Sequence, residues 1–326
     1  MFNIITFGSA TYDIFIKPEK FQKIFDKKKF ITGKGICFNL GSKIDIKEIL
    51  FSSGGGGTNT ATTFAKQGFS VAYCGSVGQD IAGTQIMEEL KNLGVNTDLI
   101  FKNSGKPTNH SIVLSGLNDD RTIFVYRGAS EILDIKNVLG NIEAKWFYLA
   151  PLSGELSNIF EELVDFANKR GIKVAVNPGT SQLLMPKEKL AGIFKKIDIL
   201  ILNQEEASFL TKIPFQKEKQ IFQKIDEICP GIAIMTCGSK GVVVSDGKNL
   251  YKAKALKVKV ADRTGAGDSF ASGFVSEFMR SNGDITASIQ LGIANANGCL
   301  TKVGAKNGLL EKGQNFEKAE VKITKI

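Results

Sequence analysis

Histidine is almost missing from this chain: a single residue, His110, in 326. A Ser-His-Asp relay or a histidine-built metal centre therefore lacks its parts. His110 sits in the strand-like run 109–114 and reads as structural. The five cysteines, Cys37, Cys74, Cys229, Cys237 and Cys299, are scattered and form no Cys-x-x-Cys pair. An odd count at such spacing excludes a disulfide framework and a zinc ribbon, and suits free thiols in a reducing compartment. No stretch approaches the ~20 apolar residues of a membrane span. The start, Met1-Phe2-Asn3-Ile4-Ile5, has neither the basic residues nor the apolar block of a signal peptide and reads straight into a strand. The expected location is the cytoplasm.

What is present is an ordinary globular composition, 43% hydrophobic and 23% charged, with 34 glycines gathered at junctions rather than in a low-complexity tract. The net charge of +9 comes from lysines spread along the chain, densest at Lys27-Lys28-Lys29. No zinc-finger spacing, recognition helix or aromatic RNA-binding motif accompanies them. The excess reads as a solvated basic surface that draws in anionic ligands, not as a nucleic-acid site.

Short β-rich runs alternate with helical patterns from end to end. Strands are predicted at Ile4–Phe7, Val71–Cys74, Trp146–Leu149, Val174–Asn177, Ile199–Leu202, Ala233–Thr236 and Val242–Ser245. Helices are predicted at Asn59–Gln67, Thr84–Leu93, Glu155–Lys169, Glu205–Leu210, Glu218–Ile228, Gly267–Met279 and Ile285–Leu300. Continuous apolar strands separated by helices imply a parallel sheet covered on both faces, with ligands beyond the carboxyl ends of its strands. Two regions, about 12–53 and 105–130, break the pattern with alternating runs: 13–16, Ile36–Leu40, Ser111–Leu114 and Thr122–Tyr126. They are expected to form a small separate antiparallel sheet that serves as a lid, a dimerisation surface, or both. No linker or repeat divides the chain, so residues 1–326 are expected to be one α/β domain carrying these lid insertions.

The most informative segment is Asp262-Arg263-Thr264-Gly265-Ala266-Gly267-Asp268-Ser269-Phe270. Gly265, Ala266 and Gly267 place unhindered N–H groups at a helix N-terminus, which carries partial positive charge and unpaired donors. Asp268 follows in the first turn, where its carboxylate could meet a hydroxyl. A phosphate cradle beside a base is the minimum equipment for phosphoryl transfer; a glycine-rich turn with a dipole-complementing Asp is the plainer reading. Ser53-Gly54-Gly55-Gly56-Gly57-Thr58-Asn59 also opens a helix and permits close backbone approach to a ligand. It lacks the Gly-Lys-Ser/Thr of a P-loop and fails Gly-x-Gly-x-x-Gly, since Thr60 stands sixth from Gly55. That failure disfavours a nicotinamide-dependent oxidoreductase. Asn203 and Glu206, three residues apart after a strand, suit either a capping box or a water-mediated magnesium-phosphate site. Thr236-Cys237-Gly238-Ser239-Lys240-Gly241 is a tight turn or a nucleotide-contacting loop.

Taken in order and spacing, these segments closely resemble the ribokinase-like (PfkB) carbohydrate kinase family. Asp262 to Phe270 resembles its C-terminal signature, Gly54 to Gly68 its N-terminal one, and the likeness runs from Gly8 to Gly304-Ala305. The resemblance implies a three-layer α/β/α fold with a mostly parallel central sheet and a small β-sheet lid. It implies an ATP- and magnesium-dependent kinase acting on a sugar or sugar-like alcohol. By similarity Asp268 is the base and Gly265, Ala266 and Gly267 form the anion hole. Asp13, Gly54, Gly55 and Asn59 match the acceptor site, Asn203 and Glu206 the magnesium site (Glu206 through water), and Thr236, Gly238 and Gly241 the nucleotide site. Asp262 and Thr264 match positions that in many relatives hold potassium. A homodimer joined through the lid is a further family expectation.

The substrate is less defined. Thr11 stands where ribose-specific relatives often carry Asn. Arg127 closes a lid run and could reach a carboxylate or phosphate on the acceptor. Lys34, Lys106 and Arg121 are further candidates, although solvated lid charges explain them as well. A nucleoside is the rival acceptor, its base clamped by lid residues such as Phe15, Phe38 or Phe124. A non-catalytic binding protein is the third reading, disfavoured because it has no need of Asp268.

Overall fold

In the computed structural model the chain is described over residues 1–30, 33–115, 121–133, 139–140 and 142–326; parts of both predicted lid segments, 31–32 and 116–120, lie outside these. The large sheet has the order β16 (Val321–Lys325), β15 (Asn249–Ala253), β14 (Val242–Ser245), β13 (Ile232–Thr236), β12 (Ile199–Asn203), β11 (Lys173–Val176), β10 (Ala144–Leu149), β1 (Phe2–Phe7), β6 (Val71–Gly78) and β7 (Ile100–Asn103). From β13 to β7 all neighbours are parallel, and β14 to β16 are added antiparallel at one edge. Successive residues of the central strands enter opposite cores. Ile5, Phe7, Phe147 and Leu149 pack on one side, while Ile4, Trp146 and Tyr148 pack on the other. Strands buried on both faces cannot alternate apolar with polar, hence the continuous apolar runs of the sequence. The edge strand β16 is mostly exposed and carries Lys322 and Lys325, charges that blunt an open edge.

The second sheet has the order β5 (Ile46–Gly54), β2 (Thr11–Pro18), β8 (Asn109–Ser115) and β9 (Arg121–Tyr126). It is mixed rather than antiparallel, because β2 and β8 run parallel. The reason is topological: β2 follows β1 and β8 follows β7, two strands that leave the main sheet in the same direction. The run Ile36–Leu40 is not part of this lid. Its first two residues end β4 (Lys34–Cys37), which pairs with β3 (Gln22–Phe25) in a two-stranded hairpin of its own.

Alternation gives the lid two distinct faces. Asp13 and Phe15 of β2 are buried against the body. On the other face, cross-strand registers align Phe51, Ile14, Ile112 and Phe124 in one apolar row, with Phe51 and Phe124 more than half exposed. The lid is tied to the body at Asn109, whose buried Oδ1 accepts from the Gly128 and Ser130 N–H groups. Ser130 in turn bonds Ala10 and Ser76. Among the described residues no helix is long and apolar enough to cross a membrane.

Candidate active site

Two helix N-termini converge beside the end of β1. The helix Gly56–Lys66 begins in the four-glycine run, and the helix Ala266–Arg280 begins at Gly265. Gly265 takes φ 75, the left-handed region, and packs so tightly that a Cβ would lie 2.4 Å from Ala305 Cβ. Only glycine turns the chain there without strain. The turn sets the helix so that Asp268, in its first turn, meets Asn59 of the other helix. Asn59 Nδ2 donates to Asp268 Oδ2 at 2.8 Å. A Cβ on Gly56 would lie 3.6 Å from Asp268 Oδ1, so the glycine loop borders the carboxylate's other oxygen. Burial raises the Asp268 pKa, and the Asn59 hydrogen bond only partly offsets it. Asn59 is 5% exposed, and its own Oδ1 is buried without a partner. Gly267 faces open space, with no atom within 4 Å of a Cβ there.

Asp13 reaches the glycine run from the lid. Its Oδ2 would be 2.2 Å from a Cβ on Gly54, so only a glycine admits the carboxylate against the loop. Asp13 is 7% exposed, and its pKa is pushed up to about 6, chiefly by burial; the Ser111 hydrogen bond and the Lys306 charge pull it back. Lys306 is the residue that sequence reasoning missed. Its Nζ donates to Ser53 Oγ and lies 3.7 Å from Glu89 Oε1, and it is 5% exposed. Burial pushes the Lys306 pKa down to about 8, against the pull of Glu89 and Asp13. The only cue in the sequence was its position just past Gly304-Ala305. Tyr148, wholly buried on β10, was also unforeseen. Burial and the nearby Asp268 charge both hold its hydroxyl protonated.

The segments matched to nucleotide and magnesium lie on the same edge of the sheet, at the ends of β12 and β13. Asn203 and Thr236 are register partners there, and Thr236 Oγ1 donates to Leu202 O at 3.4 Å. Asn203 and Glu206 form the capping box: Glu206 N–H to Asn203 Oδ1 and Asn203 N–H to Glu206 Oε2, both 2.8 Å. Burial raises the Glu206 pKa, the capping bond opposing it. Gly238 and Gly241 take φ 56 and 104 in the turn between β13 and β14. No hydrogen bond links this group to Asp268 or Asn59 among the described residues.

Asp262 and Thr264 lie together ahead of Gly265, with Thr264 Oγ1 donating to Asp262 Oδ1 at 2.8 Å. Arg121 of β9 reaches them across the lid–body cleft. Arg127 is exposed beyond β9, Lys34 is exposed on β4, and Lys106 is half-buried in a turn capped by Asn103. Of the three aromatic clamp candidates, Phe15 lines a cleft of about 520 Å³ between lid and body, with Leu50, Val113, Val260 and Val303. Phe38 and Phe124 are exposed.

The structure thus places a carboxylate held by an amide where two helix N-termini meet. The family model "pfkB family carbohydrate kinase" matches residues 1–312, and the chain belongs to that family. It is 28% identical over 270 residues to a ribokinase from Haemophilus influenzae, covering 81% of this chain and 86% of that protein. A Staphylococcus aureus ribokinase is 24% identical over 313 residues, 93% of this chain and 95% of its own. Among solved structures, Arabidopsis thaliana ribokinase complexed with ribose and ATP superposes with TM-score 0.77 at 24% identity, over 94% of this chain and 95% of that one. The nucleoside kinase of Methanocaldococcus jannaschii gives TM-score 0.75 at 23% identity, over 94% and 95%. The chain is thus a carbohydrate kinase, a phosphotransferase with an alcohol group as acceptor.

Proposed function

We propose that this kinase transfers the γ-phosphoryl group of ATP to a hydroxyl of a sugar, with Asp268 as the base. The carrying observation is the Asn59–Asp268 pair, bonded at 2.8 Å, with a second, unpartnered acceptor on Asn59 beside it. Asn59 holds Oδ2 of the carboxylate and so commits the other oxygen to the acceptor hydroxyl. Phosphoryl transfer is mainly positioning and charge stabilisation, so a carboxylate that takes the proton late in the transfer suffices. The Gly265, Ala266 and Gly267 amides, at the positive end of their helix, would supply donors to the charge that develops on the transferred group; the Ala266 N–H, which donates to Arg263 O at 3.4 Å, would turn to do so. Asp13, Gly54, Gly55 and Asn59 hold the acceptor, with Arg127 at the lid margin. Thr236, Gly238 and Gly241 carry the nucleotide.

Magnesium fits the residues present. Glu206 Oε2 accepts one capping bond, and a carboxylate has further lone pairs for a metal-bound water. Among the described residues no three His, Cys, Asp or Glu side chains cluster, which suits an ion held mainly by phosphate oxygens and water. When bound, it would neutralise phosphate charge near Asn203 and Glu206. Potassium at Asp262 and Thr264 is taken up below. The apolar outer row of the lid supports a homodimer formed through that face, which sedimentation would test. Five thiols without a disulfide agree with a cytoplasmic enzyme.

A nucleoside acceptor is the second reading, favoured by Phe15, Leu50 and Val113, which line the cleft between lid and body. One experiment separates the two: sugars and nucleosides, each with ATP and Mg²⁺, read by ADP release and by phosphorylated product. A sugar is expected to give acceptor-dependent ADP. Turnover confined to nucleosides would replace the first reading with the second, and no acceptor-dependent release would sink both.

A further inference from the structure

Arg121 opens β9 on the inner face of the lid, in register with Ser115. Its guanidinium crosses to the body, where NH1 donates to Asp262 Oδ1 at 2.8 Å and to Thr264 Oγ1. Asp262 accepts at both oxygens. Oδ1 also accepts from Thr264 N at 3.0 Å and from Thr264 Oγ1, while Oδ2 accepts from Gly304 N at 3.0 Å. The Asp262 side chain is 10% exposed and that of Arg121 31%. Thr264 is followed directly by the left-handed Gly265 and the amides of the anion hole, so whatever fixes Asp262 and Thr264 fixes the direction of those amides.

These are the residues that family likeness assigns to a potassium ion, and a guanidinium already stands there. It donates to Asp262 Oδ1 and to the Thr264 hydroxyl oxygen, so a second cation at these oxygens would sit against a permanent positive charge. The compensating charge comes from the chain itself. A guanidinium stays protonated and presents its donors in a rigid plane, so it holds such a pair without an exchangeable ion.

We propose that Arg121 is a built-in cation for the anion-hole loop: a positioning residue that takes the place of an exchangeable monovalent ion and clamps the lid to the loop. The proposal rests on the kinase reading for its effect on turnover, but the cation claim itself can be read without turnover. Because the clamp acts on amides that meet developing charge, it bears on kcat more than on nucleotide affinity.

The test compares the parent, R121Q and R121K in KCl and in tetramethylammonium chloride at equal ionic strength. The parent should show no potassium-specific rise in Tm and equal kcat in the two salts, within about twofold. R121Q should lose roughly ten- to a hundredfold in kcat, as loss of oxyanion stabilisation does, with KM for ATP changed by no more than about threefold. R121K should recover part of that loss, and millimolar methylguanidine should restore part of it to R121Q; a purely structural strap would respond to neither. R121Q, but not the parent, should gain a potassium-specific rise in Tm. A parent enzyme activated by potassium, an R121Q variant with parental kcat, or an R121Q variant blind to every cation would overturn the proposal. If no acceptor supports turnover at all, the kinase reading falls while the paired Tm series still decides the claim for Arg121.

Discussion

The two ends of the proposed cleft are built differently. At the acceptor end, Asp13, Gly54, Asn59 and Asp268 come from three separate stretches of chain: Asp13 lies against Gly54, and Asn59, five residues on, bonds Asp268. At the nucleotide end, Asn203, Glu206 and the Thr236–Gly241 turn satisfy one another locally, by a capping box and a left-handed turn. Long-range interlock tolerates almost no displacement, whereas a cap and a turn are generic pieces that many proteins use. The difference matches the chemistry: proton transfer needs the acceptor hydroxyl fixed to a fraction of an ångström, while a triphosphate is held by many weak contacts. It also predicts that substitutions at the first end cost turnover and those at the second cost mainly stability or affinity.

Asp268→Asn should break the first end most severely. The amide keeps the Asn59 contact available but cannot take a proton, so kcat should fall on the order of a hundredfold or more. Nucleotide affinity, measured by calorimetry with ADP, should stay near the parental value. Parental turnover in this variant would remove the base from the mechanism. Gly54→Ala comes next. Its Cβ would stand 2.2 Å from Asp13 Oδ2, so the carboxylate must move. Displacing an acceptor-holding group by about an ångström should cost roughly ten- to a hundredfold in kcat/KM for the acceptor. KM for ATP is the internal control, and an equal rise in both constants would contradict the separation of the two ends.

The same contrast governs how much was legible in the sequence. Local devices were readable: the capping box at Asn203, the left-handed glycines at 238, 241 and 265, and the helix Ile285–Leu300 with both its ends. The parallel sheet was readable because strands buried on both faces leave unbroken apolar runs. Short or edge elements were not. The four-residue helix Thr180–Leu183 and the helix Lys187–Phe194 have too few turns for periodicity to register, and β7, β15 and β16 lack long apolar runs. The mixed order of the lid escaped because alternation reports faces and not strand direction. The long-range pairs escaped for a related reason. Asn59 and Asp268 are 209 residues apart, and the Lys306–Ser53 contact spans 253. Family likeness nominated Asn59 and Asp268 but not Lys306, whose role comes from burial beside Asp13.

Proton dependence offers a milder way to sharpen the contrast. Burial holds the Asp13 pKa near 6 against an ordinary 3.8. The fold therefore favours the protonated carboxyl: its contribution to stability is complete below the ordinary value and is lost as pH rises through about 6. Acceptor binding runs the other way, because the ionised carboxylate is the better hydroxyl acceptor. Acceptor affinity, measured in the D268N background to silence the base, should weaken by several-fold as pH falls from about 7 to 5. Asp13→Asn should flatten that slope, and its Tm relative to the parent should improve between pH 4 and pH 8. A slope unchanged by D13N would assign the titration elsewhere.

At the nucleotide end the question is whether Glu206 is only a cap, and two substitutions separate the roles. Asn203→Ala removes the side-chain acceptor for the Glu206 N–H and should cost ~1 kcal/mol of stability, as lost N-caps do. Glu206→Gln keeps an oxygen that can accept from the Asn203 N–H, so the reciprocal cap survives. It also removes a carboxylate whose ionisation burial opposes, so Tm at neutral pH should hold or rise slightly. A cap-only Glu206 predicts an E206Q enzyme with parental magnesium dependence. A Glu206 that orders metal-bound water predicts a rightward shift in the magnesium concentration for half-maximal rate, with Tm unmoved. Because the two readouts respond to different atoms of one side chain, the second outcome would show that a generic cap has been put to use at the nucleotide end, where the acceptor end required parts found nowhere else in the chain.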